Sequence, residues 1–210
     1  MNQIFDFFLN SYQDKDTFVI ILEAIVMVTG IISVWCAKKE NILVYPTGLI
    51  ATVISVYLLL NDKLYGDMMM NFYFSIMSIY GWWNWSRTKN NKKVVEISIT
   101  NTKEKVIGFG LFVFTIVFTY IVYSIFGNEI TTSNYVDMFT SGLFFTAMWY
   151  MAKKKIENWT LWIIADIVTI PLYAYRGWGM LSFQYLIFTV LAVQAYFLWK
   201  KNLNNNLQTA

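Results

Sequence analysis

Residues 18–36 read FVIILEAIVMVTGIISVWC and contain one charged side chain, Glu23. A helix needs about 20 mostly apolar residues to cross the hydrocarbon core of a bilayer, which is about 30 Å thick, because each residue rises about 1.5 Å. This stretch therefore predicts a membrane-spanning helix. The residues before it are acidic and those after it, Lys38 and Lys39, are basic, which is the reverse of a cleavable signal peptide. We expect an uncleaved anchor with its N-terminus outside.

Six further runs of similar length follow, at residues 42–60, 67–86, 106–126, 136–152, 158–175 and 181–199. Five of the seven runs are strongly apolar, whereas the fifth is short and the sixth is interrupted by Asp166 and Pro171. Strands are a poor alternative because the runs are too long and lack sustained alternation. The pattern predicts an all-α membrane protein with seven transmembrane helices.

The composition agrees with a membrane protein. Of the 210 residues, 57% are apolar and 14% are charged, and the mean hydropathy is +0.47. A soluble globular domain is about half apolar and about one quarter charged. The single cysteine, Cys36, cannot form an internal disulfide, and the absence of histidine removes the commonest metal ligand and general base. We predict no catalytic site, no metal and no cofactor.

The positive charges divide unequally between the two sides of a seven-span chain. Of the 16 Lys and Arg residues, only Lys15, Lys63 and Arg176 lie on the side of the N-terminus. An excess of Lys and Arg in the loops marks the cytoplasm. We therefore expect the N-terminus outside and the C-terminus inside. The basic loops are better explained as topology signals than as a surface for nucleic acid.

The runs also indicate two related groups of three. Trp35 stands before the lysines that close the first run, and Trp149 stands before those that close the fifth. Downstream, four aromatic residues recur at a constant offset of 116, which pairs Tyr57, Phe72, Tyr80 and Trp83 with Tyr173, Phe188, Tyr196 and Trp199. Parallel repeats of this kind, three helices plus one plus three, occur in small carriers such as those of the SWEET type.

This layout divides one membrane domain, residues 1–210, into four parts. They are a first three-helix repeat (18–86), a polar cytoplasmic linker (87–105), a linking helix (106–126) and a second three-helix repeat (136–201). We expect a short amphipathic helix around Val94 to Ile99 in the linker. The Asn-rich tail, 202–210, has the composition of a disordered segment.

Polar residues inside the runs should face a shared interior, because exposing them to lipid costs several kcal/mol. In the sixth run, polar and aromatic residues recur in steps of 3, 4, 3 and 4, which puts them on one helical face. Asn71 and Ser75 begin a similar face in the third run, and Gln184 lies in the seventh. The candidate substrate-binding residues are Trp159, Trp162, Asp166, Thr169, Asn71, Ser75, Gln184 and Tyr173.

These residues indicate a particular kind of ligand. Trp faces attract cations, by about 2 kcal/mol when desolvated, and amides and hydroxyls would bind a polar part. We expect a small, planar and preferably cationic ring that carries hydroxyl groups. Structural roles remain open, since Asp166 could serve a hydrogen-bonded network and the small hydroxyls could simply allow close helix packing.

Four segments resemble the PnuC-type vitamin transporter family. They are residues 66–71 (GDMMMN), 78–85 (SIYGWWNW), 158–166 (NWTLWIIAD) and 171–177 (PLYAYRG). The resemblance covers roughly residues 18–201 and implies a seven-helix carrier of the bacterial inner membrane, built from two three-helix repeats and assembled as a homotrimer. Known members import nicotinamide riboside, and relatives carry thiamine or riboflavin.

The family resemblance also implies a mechanism and site residues. The resemblance implies facilitated diffusion, with a cytoplasmic kinase that traps the vitamin as its phosphate, and we expect transport by alternating access. By resemblance, Trp159 and Trp162 would line the substrate site, with Asn71 and Gln184 as amide contacts. Asn71 stands where many nicotinamide riboside members have Gln, so the identity of the vitamin stays open.

Other functions compete with transport of a vitamin. A sugar carrier shares the layout, and a receptor would also bind a ligand. A membrane-embedded enzyme needs paired acid and base groups, but Glu23 and Asp166 are the only clear acids within the runs and start from opposite sides. Asp166 leaves proton or sodium coupling open.

Overall fold

A computed structural model describes residues 15–62, 65–89, 92–126 and 130–209. These residues form seven helices and one short hairpin, which confirms the all-helical fold. In chain order they are α1 (Thr17–Lys38), α2 (Val44–Asn61), α3 (Tyr65–Ser86), β1 (Thr88–Lys89), β2 (Lys92–Lys93), α4 (Thr102–Phe126), α5 (Thr132–Ala152), α6 (Glu157–Tyr175) and α7 (Gly179–Thr209).

Four of these helices, α1, α2, α4 and α7, are long and apolar enough to cross a membrane by length and composition. The weaker apolar character expected of α5 and α6 is confirmed, since neither is among the four. The sequence predicted a strongly apolar α3 as well, and this was wrong. Polar side chains such as Ser75, Ser78 and Asn84 lower its hydropathy, and all three are buried.

Six of the helices close into a ring. α1 contacts α2, α2 contacts α3, α3 contacts α5, α5 contacts α6, α6 contacts α7, and α7 returns to α1. The fourth helix lies outside this ring, packed mainly on α5 and to a smaller extent on α3. Large apolar side chains such as Phe109, Phe114 and Ile125 of α4 are exposed on the outside. The ring order puts α2 and α6 on opposite sides of the interior.

The turns that follow α1 and α5 share one hydrogen-bond pattern. The backbone N–H groups of residues 39–41 donate to carbonyl groups three, three and five residues earlier, and those of residues 153–155 do the same. The middle residues of the two turns, Glu40 and Lys154, both adopt the left-handed conformation, with φ of 52° and 53°. The two turns therefore correspond at an offset of 114 residues.

The same offset relates the aromatic contacts, so the predicted offset of 116 is wrong. Tyr45 packs edge-on against Trp85 with ring centroids 5.1 Å apart, and Trp159 packs edge-on against Trp199 at 5.4 Å. Tyr45 and Trp159 are 114 residues apart, and so are Trp85 and Trp199. An offset of 116 matched side chains by type alone, whereas the backbone turns and ring contacts define the structural register.

We call helices α1–α3 and helices α5–α7 the two triplets. Their ends contact each other at what we call the basic end, formed by the turns 39–43 and 153–156 and the segment 87–101. The indole Nε1–H of Trp85 donates to the carbonyl of Met151 across the ring, at 3.2 Å. The Nε1–H of Trp199 donates in the reverse direction to the carbonyl of Ala37, also at 3.2 Å. Each triplet thus holds the end of the other's first helix.

An ion pair joins the two left-handed turns at the same place. Lys154 Nζ lies 3.0 Å from Glu40 Oε2, and Asn202 Nδ2 donates to Glu40 Oε1 at 2.9 Å. Lys154 is only 2% exposed, and this burial lowers the pKa of its ammonium group, an effect that the hydrogen bond to Glu40 opposes. We call Trp85, Trp199, Glu40 and Lys154 the clasp.

The linker and the tail differ from the predictions. Residues 94–101 are not helical, because Ser98 forms backbone hydrogen bonds with Lys154 and Ile156, and Ile97 inserts into the core. The tail continues α7 to Thr209 instead of being disordered. Asn202 binds Glu40 and the neighbouring Leu203 packs against the core, so tertiary contacts stabilise a segment whose composition is typical of disorder. Ala210 lies outside the described residues.

Gly81 should be essential for packing between α2 and α3. A Cβ atom at Gly81 would lie 2.2 Å from the ring of Tyr45, whereas a Cβ at Gly110 would meet nothing within 4 Å. We expect Gly81→Ala to lower the free energy of unfolding by roughly 1–3 kcal/mol through overpacking. Gly110→Ala should be neutral or stabilising, because Ala favours a helix over Gly. Melting midpoints of both variants in detergent test this, and equal midpoints would contradict it.

Candidate functional site

A cavity of about 940 Å³ fills the interior of the ring. All six ring helices contribute to its lining, and α4 does not. Ligand pockets for small molecules typically have volumes of about 300–1,000 Å³. The space is therefore large enough for a vitamin-sized molecule with part of its hydration.

The polar face of α6 lines this cavity along its whole length. Trp159, Trp162, Asp166, Thr169 and Tyr173 are all lining residues. Asp166 is 2% exposed, and its Oδ1 has no hydrogen-bond partner among the described residues. The hydroxyl of Thr169 is bonded to the carbonyl of Ala165 in its own helix, at 2.8 Å. Asp166 thus keeps a buried acceptor oxygen available to a ligand.

The two tryptophans of α6 have different surroundings. The Trp162 ring lies beside Phe144 and Phe74, with centroids 5.3 and 6.1 Å away, and its Nε1–H has no partner among the described residues. Trp159 is 1% exposed and packs against Trp199 at the basic end. Trp162 therefore lies in the side wall of the cavity, and Trp159 lies at its basic end.

The remaining predicted site residues fall into two groups. Asn71 and Gln184 line the cavity, and the amide of Asn71 donates to the carbonyl of Asp67 at 2.9 Å. Ser75 is not among the lining residues. Its hydroxyl bonds to Thr52 Oγ1 at 2.8 Å, so it lies behind the wall that Thr52 forms. The helical spacing placed Ser75 on the side of α3 that faces the cavity, but its side chain does not reach the cavity.

Carboxyl groups gather at the opposite end, which we call the acidic end and define by Glu23, Asp62, Asp67 and Asp137. All four line the cavity. Glu23 and Asp166 were expected to be the only clear acids within the runs, but Asp67, in the first turn of α3, and Asp137, in the second turn of α5, also line the cavity.

Two of these acids are paired. Arg176 Nη2 lies 3.6 Å from Asp137 Oδ2, and the hydroxyl of Tyr123 also donates to Asp137. Glu23 pairs with Lys15, one of the three basic residues that the sequence places on the side of the N-terminus with Lys63 and Arg176. Arg176 is engaged by Asp137, and Lys63 lies outside the described residues.

Sequence reasoning missed part of the lining. Trp178, in the connection between α6 and α7, lines the cavity beside Tyr173, with ring centroids 5.3 Å apart. The face of α2 was missed entirely, although Gly48, Thr52 and Ser55 recur at helical spacing and line the cavity. Small residues give a weak polar signal in a sequence, and their importance depends on what lies opposite.

The two ends of the cavity differ in access. Lining residues at the acidic end, including Lys15 and Asp62, are exposed, whereas Tyr45 and Trp159 at the basic end are buried beneath the clasp. As formed by the described residues, the cavity therefore opens at the acidic end and is closed at the basic end.

A water-filled cavity predicts selective labelling of introduced thiols. In a Cys36→Ala background, Ser55→Cys should react with a water-soluble maleimide, because Ser55 lines the cavity. The control Met77→Cys should react at least about tenfold more slowly, because Met77 is buried in packing between helices outside the cavity. Labelling is measured by mass spectrometry on folded protein, and similar rates would contradict an accessible cavity.

Comparisons with known proteins agree with this architecture. The family model described as Nicotinamide mononucleotide transporter matches residues 20–201. The chain is 24% identical over 201 residues to a protein of Escherichia coli (strain K12) named Nicotinamide riboside transporter PnuC, covering 85% of this chain and 84% of that one. A protein of the same name from Neisseria mucosa is 26% identical over 193 residues, covering 86% of this chain and 72% of the relative.

A solved structure has the same fold. The crystal structure described as that of the Vitamin B3 transporter PnuC superposes with a TM-score of 0.68 at 24% identity, covering 86% of this chain and 80% of that one. The relatives are named as transporters and not as enzymes. Their likeness and the apolar helices identify a multi-pass protein of the bacterial inner membrane. With the family model matching residues 20–201, the chain belongs to the nicotinamide mononucleotide transporter family, as a PnuC-type membrane transporter.

Proposed function

We propose that this protein imports nicotinamide riboside by facilitated diffusion with alternating access, and that phosphorylation in the cytoplasm traps the substrate. The observation that carries the substrate assignment is the pairing of Trp162 with Asp166 on one wall of a closed-ended cavity. The pyridinium ring of nicotinamide riboside is planar and cationic. It can stack on the indole of Trp162 and place its charge near the carboxyl group of Asp166.

The carboxyl groups of the lining support a cation over an anion. Among the described residues, the cavity is lined by the five carboxyl groups of Glu23, Asp62, Asp67, Asp137 and Asp166 and by the single ammonium group of Lys15. A phosphate group carries about −1.5 to −2 charges at pH 7 and binds best to Arg clusters or to backbone N–H groups. This lining supports the riboside named in the relatives over the mononucleotide in the family description.

Thiamine is a second candidate, favoured by the same observation. Its thiazolium ring is also planar and cationic, and the Trp162–Asp166 wall suits both cations. The substitution of Asn71 for the Gln found in many nicotinamide riboside members affects a lining residue, so both vitamins belong in a binding test.

We propose a layout in which all seven helices span the membrane as two parallel repeats, residues 18–86 and 136–201, joined by α4. The matched turns at residues 39–41 and 153–155 support the repeats. The concentration of Lys residues at the basic end supports a cytoplasmic basic end and C-terminus, with the N-terminus outside. In this orientation the cavity is open to the outside, ready to take up substrate.

Alternating access requires that the basic end open and the acidic end close. The Trp85–Met151 and Trp199–Ala37 hydrogen bonds join the two triplets there, so we propose that they separate when substrate is released to the cytoplasm.

Passive transport is supported by the absence of histidine and of a nucleotide-binding motif from the sequence. Assembly as a homotrimer and coupling to a cytoplasmic kinase rest on the family resemblance.

The binding-site assignment predicts a selective loss of affinity. Purified protein should bind nicotinamide riboside and should bind nicotinamide mononucleotide at least about 100-fold more weakly. Trp162→Ala should abolish detectable riboside binding and uptake, because it removes the stacking surface. Trp83→Ala is a matched control, since Trp83 is 58% exposed on the outside of the ring. Isothermal titration calorimetry and proteoliposome uptake measure both quantities.

The same panel separates the alternatives. Binding of thiamine in preference to the riboside would change the substrate and leave the site assignment intact. Normal uptake by Trp162→Ala would refute the site. Exchange of labelled riboside across proteoliposomes without any ion gradient is expected for a passive carrier, and a requirement for a proton or sodium gradient would overturn that part of the proposal.

The clasp predicts a charge-dependent opening that the native Cys36 can report. Cys36 is 3% exposed and packs in the core at the basic end. Lys154→Glu should place two carboxylates together, destabilise the closed basic end and raise the maleimide reaction rate of Cys36 at least about tenfold, which corresponds to about 1.4 kcal/mol. The charge swap Glu40→Lys/Lys154→Glu should restore slow labelling. Equal rates in the wild type and both variants would exclude the clasp as a closing contact.

A further inference from the structure

The cavity-facing side of α2 has the same spacing as the polar face of α6. Its residues recur in steps of 3, 4, 3 and 4, and all of them line the cavity: Tyr45, Gly48, Thr52, Ser55 and Leu59. Because α2 and α6 lie opposite each other in the ring, these residues form the wall that the Trp162–Asp166 wall faces.

The two faces correspond residue by residue. At the offset of 114, Gly48 stands at the position of Trp162, Thr52 at that of Asp166, and Ser55 at that of Thr169. The register does not depend on side-chain similarity, because the turns that lead into α2 and α6 have matching backbone hydrogen bonds, from residues 44 and 45 and from residues 158 and 159. One wall therefore has an aromatic ring and an acid where the other has a glycine and a hydroxyl.

Gly48 creates space for a group that is not an aromatic ring. A Cβ atom at Gly48 would lie 2.9 Å from the Ser33 hydroxyl and 3.8 Å from the Ser78 hydroxyl. Both serines line the cavity. Hydroxyl groups from α1 and α3 thus approach the bare backbone of α2, and a larger residue at position 48 would displace them.

The hydroxyl groups of this wall have capacity for a ligand. Ser33 donates to the carbonyl of Val44 at 2.7 Å, and Thr52 Oγ1 accepts from Ser75 at 2.8 Å. A hydroxyl has one donor hydrogen and two acceptor lone pairs, so each keeps bonding capacity after these contacts. Ser55 and Ser78 add two more hydroxyls to the lining of the same cavity.

Resting on the proposed function, we propose that the α2 wall, together with Ser78 of α3, is the sugar half of the site. Gly48 provides the space, and the hydroxyls of Ser55, Thr52 and Ser78 bind the ribosyl hydroxyls of a nucleoside whose cationic ring packs on Trp162. Two aromatic walls would suit a bare planar ring. One aromatic wall and one hydroxyl wall select a ring that carries a sugar, because a missing sugar leaves buried hydroxyl groups without partners.

Two probes with the same ring test this division. Nicotinamide riboside has the cationic ring and the sugar, and 1-methylnicotinamide has the cationic ring alone. In full-length purified protein, Ser55→Ala/Ser78→Ala should weaken riboside binding at least about tenfold and change 1-methylnicotinamide binding by less than about twofold. Trp162→Ala should weaken both. Ser124→Ala on α4 is the control, because Ser124 is exposed and, among the described residues, its hydroxyl donates to the carbonyl of Tyr120 in its own helix.

The outcomes are distinguishable. If the serine variant weakens both probes equally, or neither, the sugar half is wrong while the proposed function stands. If wild-type protein binds neither probe, the proposed function fails, and the inference fails with it. Should the serine variant lose its melting transition, Ser33→Ala/Gly48→Ala gives a second test. It fills the space while relieving the 2.9 Å contact, and it should weaken the riboside at least about fivefold more than 1-methylnicotinamide.

Discussion

The cost of exposing a polar group to hydrocarbon is the constraint on which this structure depends. Acidic and amide side chains such as Asp166 and Gln184 cost several kcal/mol when they face lipid, so the helices that carry them turn those faces toward one another. Six helices satisfy this requirement by closing a ring, and their large apolar side chains cover its outside. The cavity follows from the same requirement, because inward polar faces that do not fill the interior leave a space for solvent and for a ligand.

The helices α2 and α6 correspond in backbone register but differ in their side chains, and this difference makes the cavity asymmetric. The turns after α1 and α5 have the same hydrogen bonds and left-handed residues. At the offset of 114, however, Gly48 of α2 corresponds to Trp162 of α6. Identical walls would recognise a symmetric ligand. Under the proposed function, divergent walls would allow a ring and a sugar to be recognised on opposite sides of one cavity.

The contacts at the basic end link the two triplets most directly. Trp85 packs on the cavity-lining residue Tyr45 of its own triplet and donates a hydrogen bond to Met151 of the other triplet. In the same way, Trp199 packs on Trp159 and donates a hydrogen bond to Ala37. A molecule that moves Trp159 or Tyr45 would therefore also disturb the contacts that close this end. That arrangement offers a physical route from ligand binding to opening.

The sequence alone determined the all-helical class, the number and approximate limits of the helices, and the face of α6. An apolar run of about 20 residues has the length of a membrane-spanning helix, and steps of 3 and 4 place side chains on one helical face. The sequence could not determine what lies opposite that face. Only the tertiary structure showed that α2 lies opposite α6, that Ser75 lies behind Thr52, and that the repeat offset is 114. It also showed that residues 202–209 are helical, where Asn202 binds Glu40. Those features depend on contacts between residues far apart in the chain, and a local pattern carries no information about them.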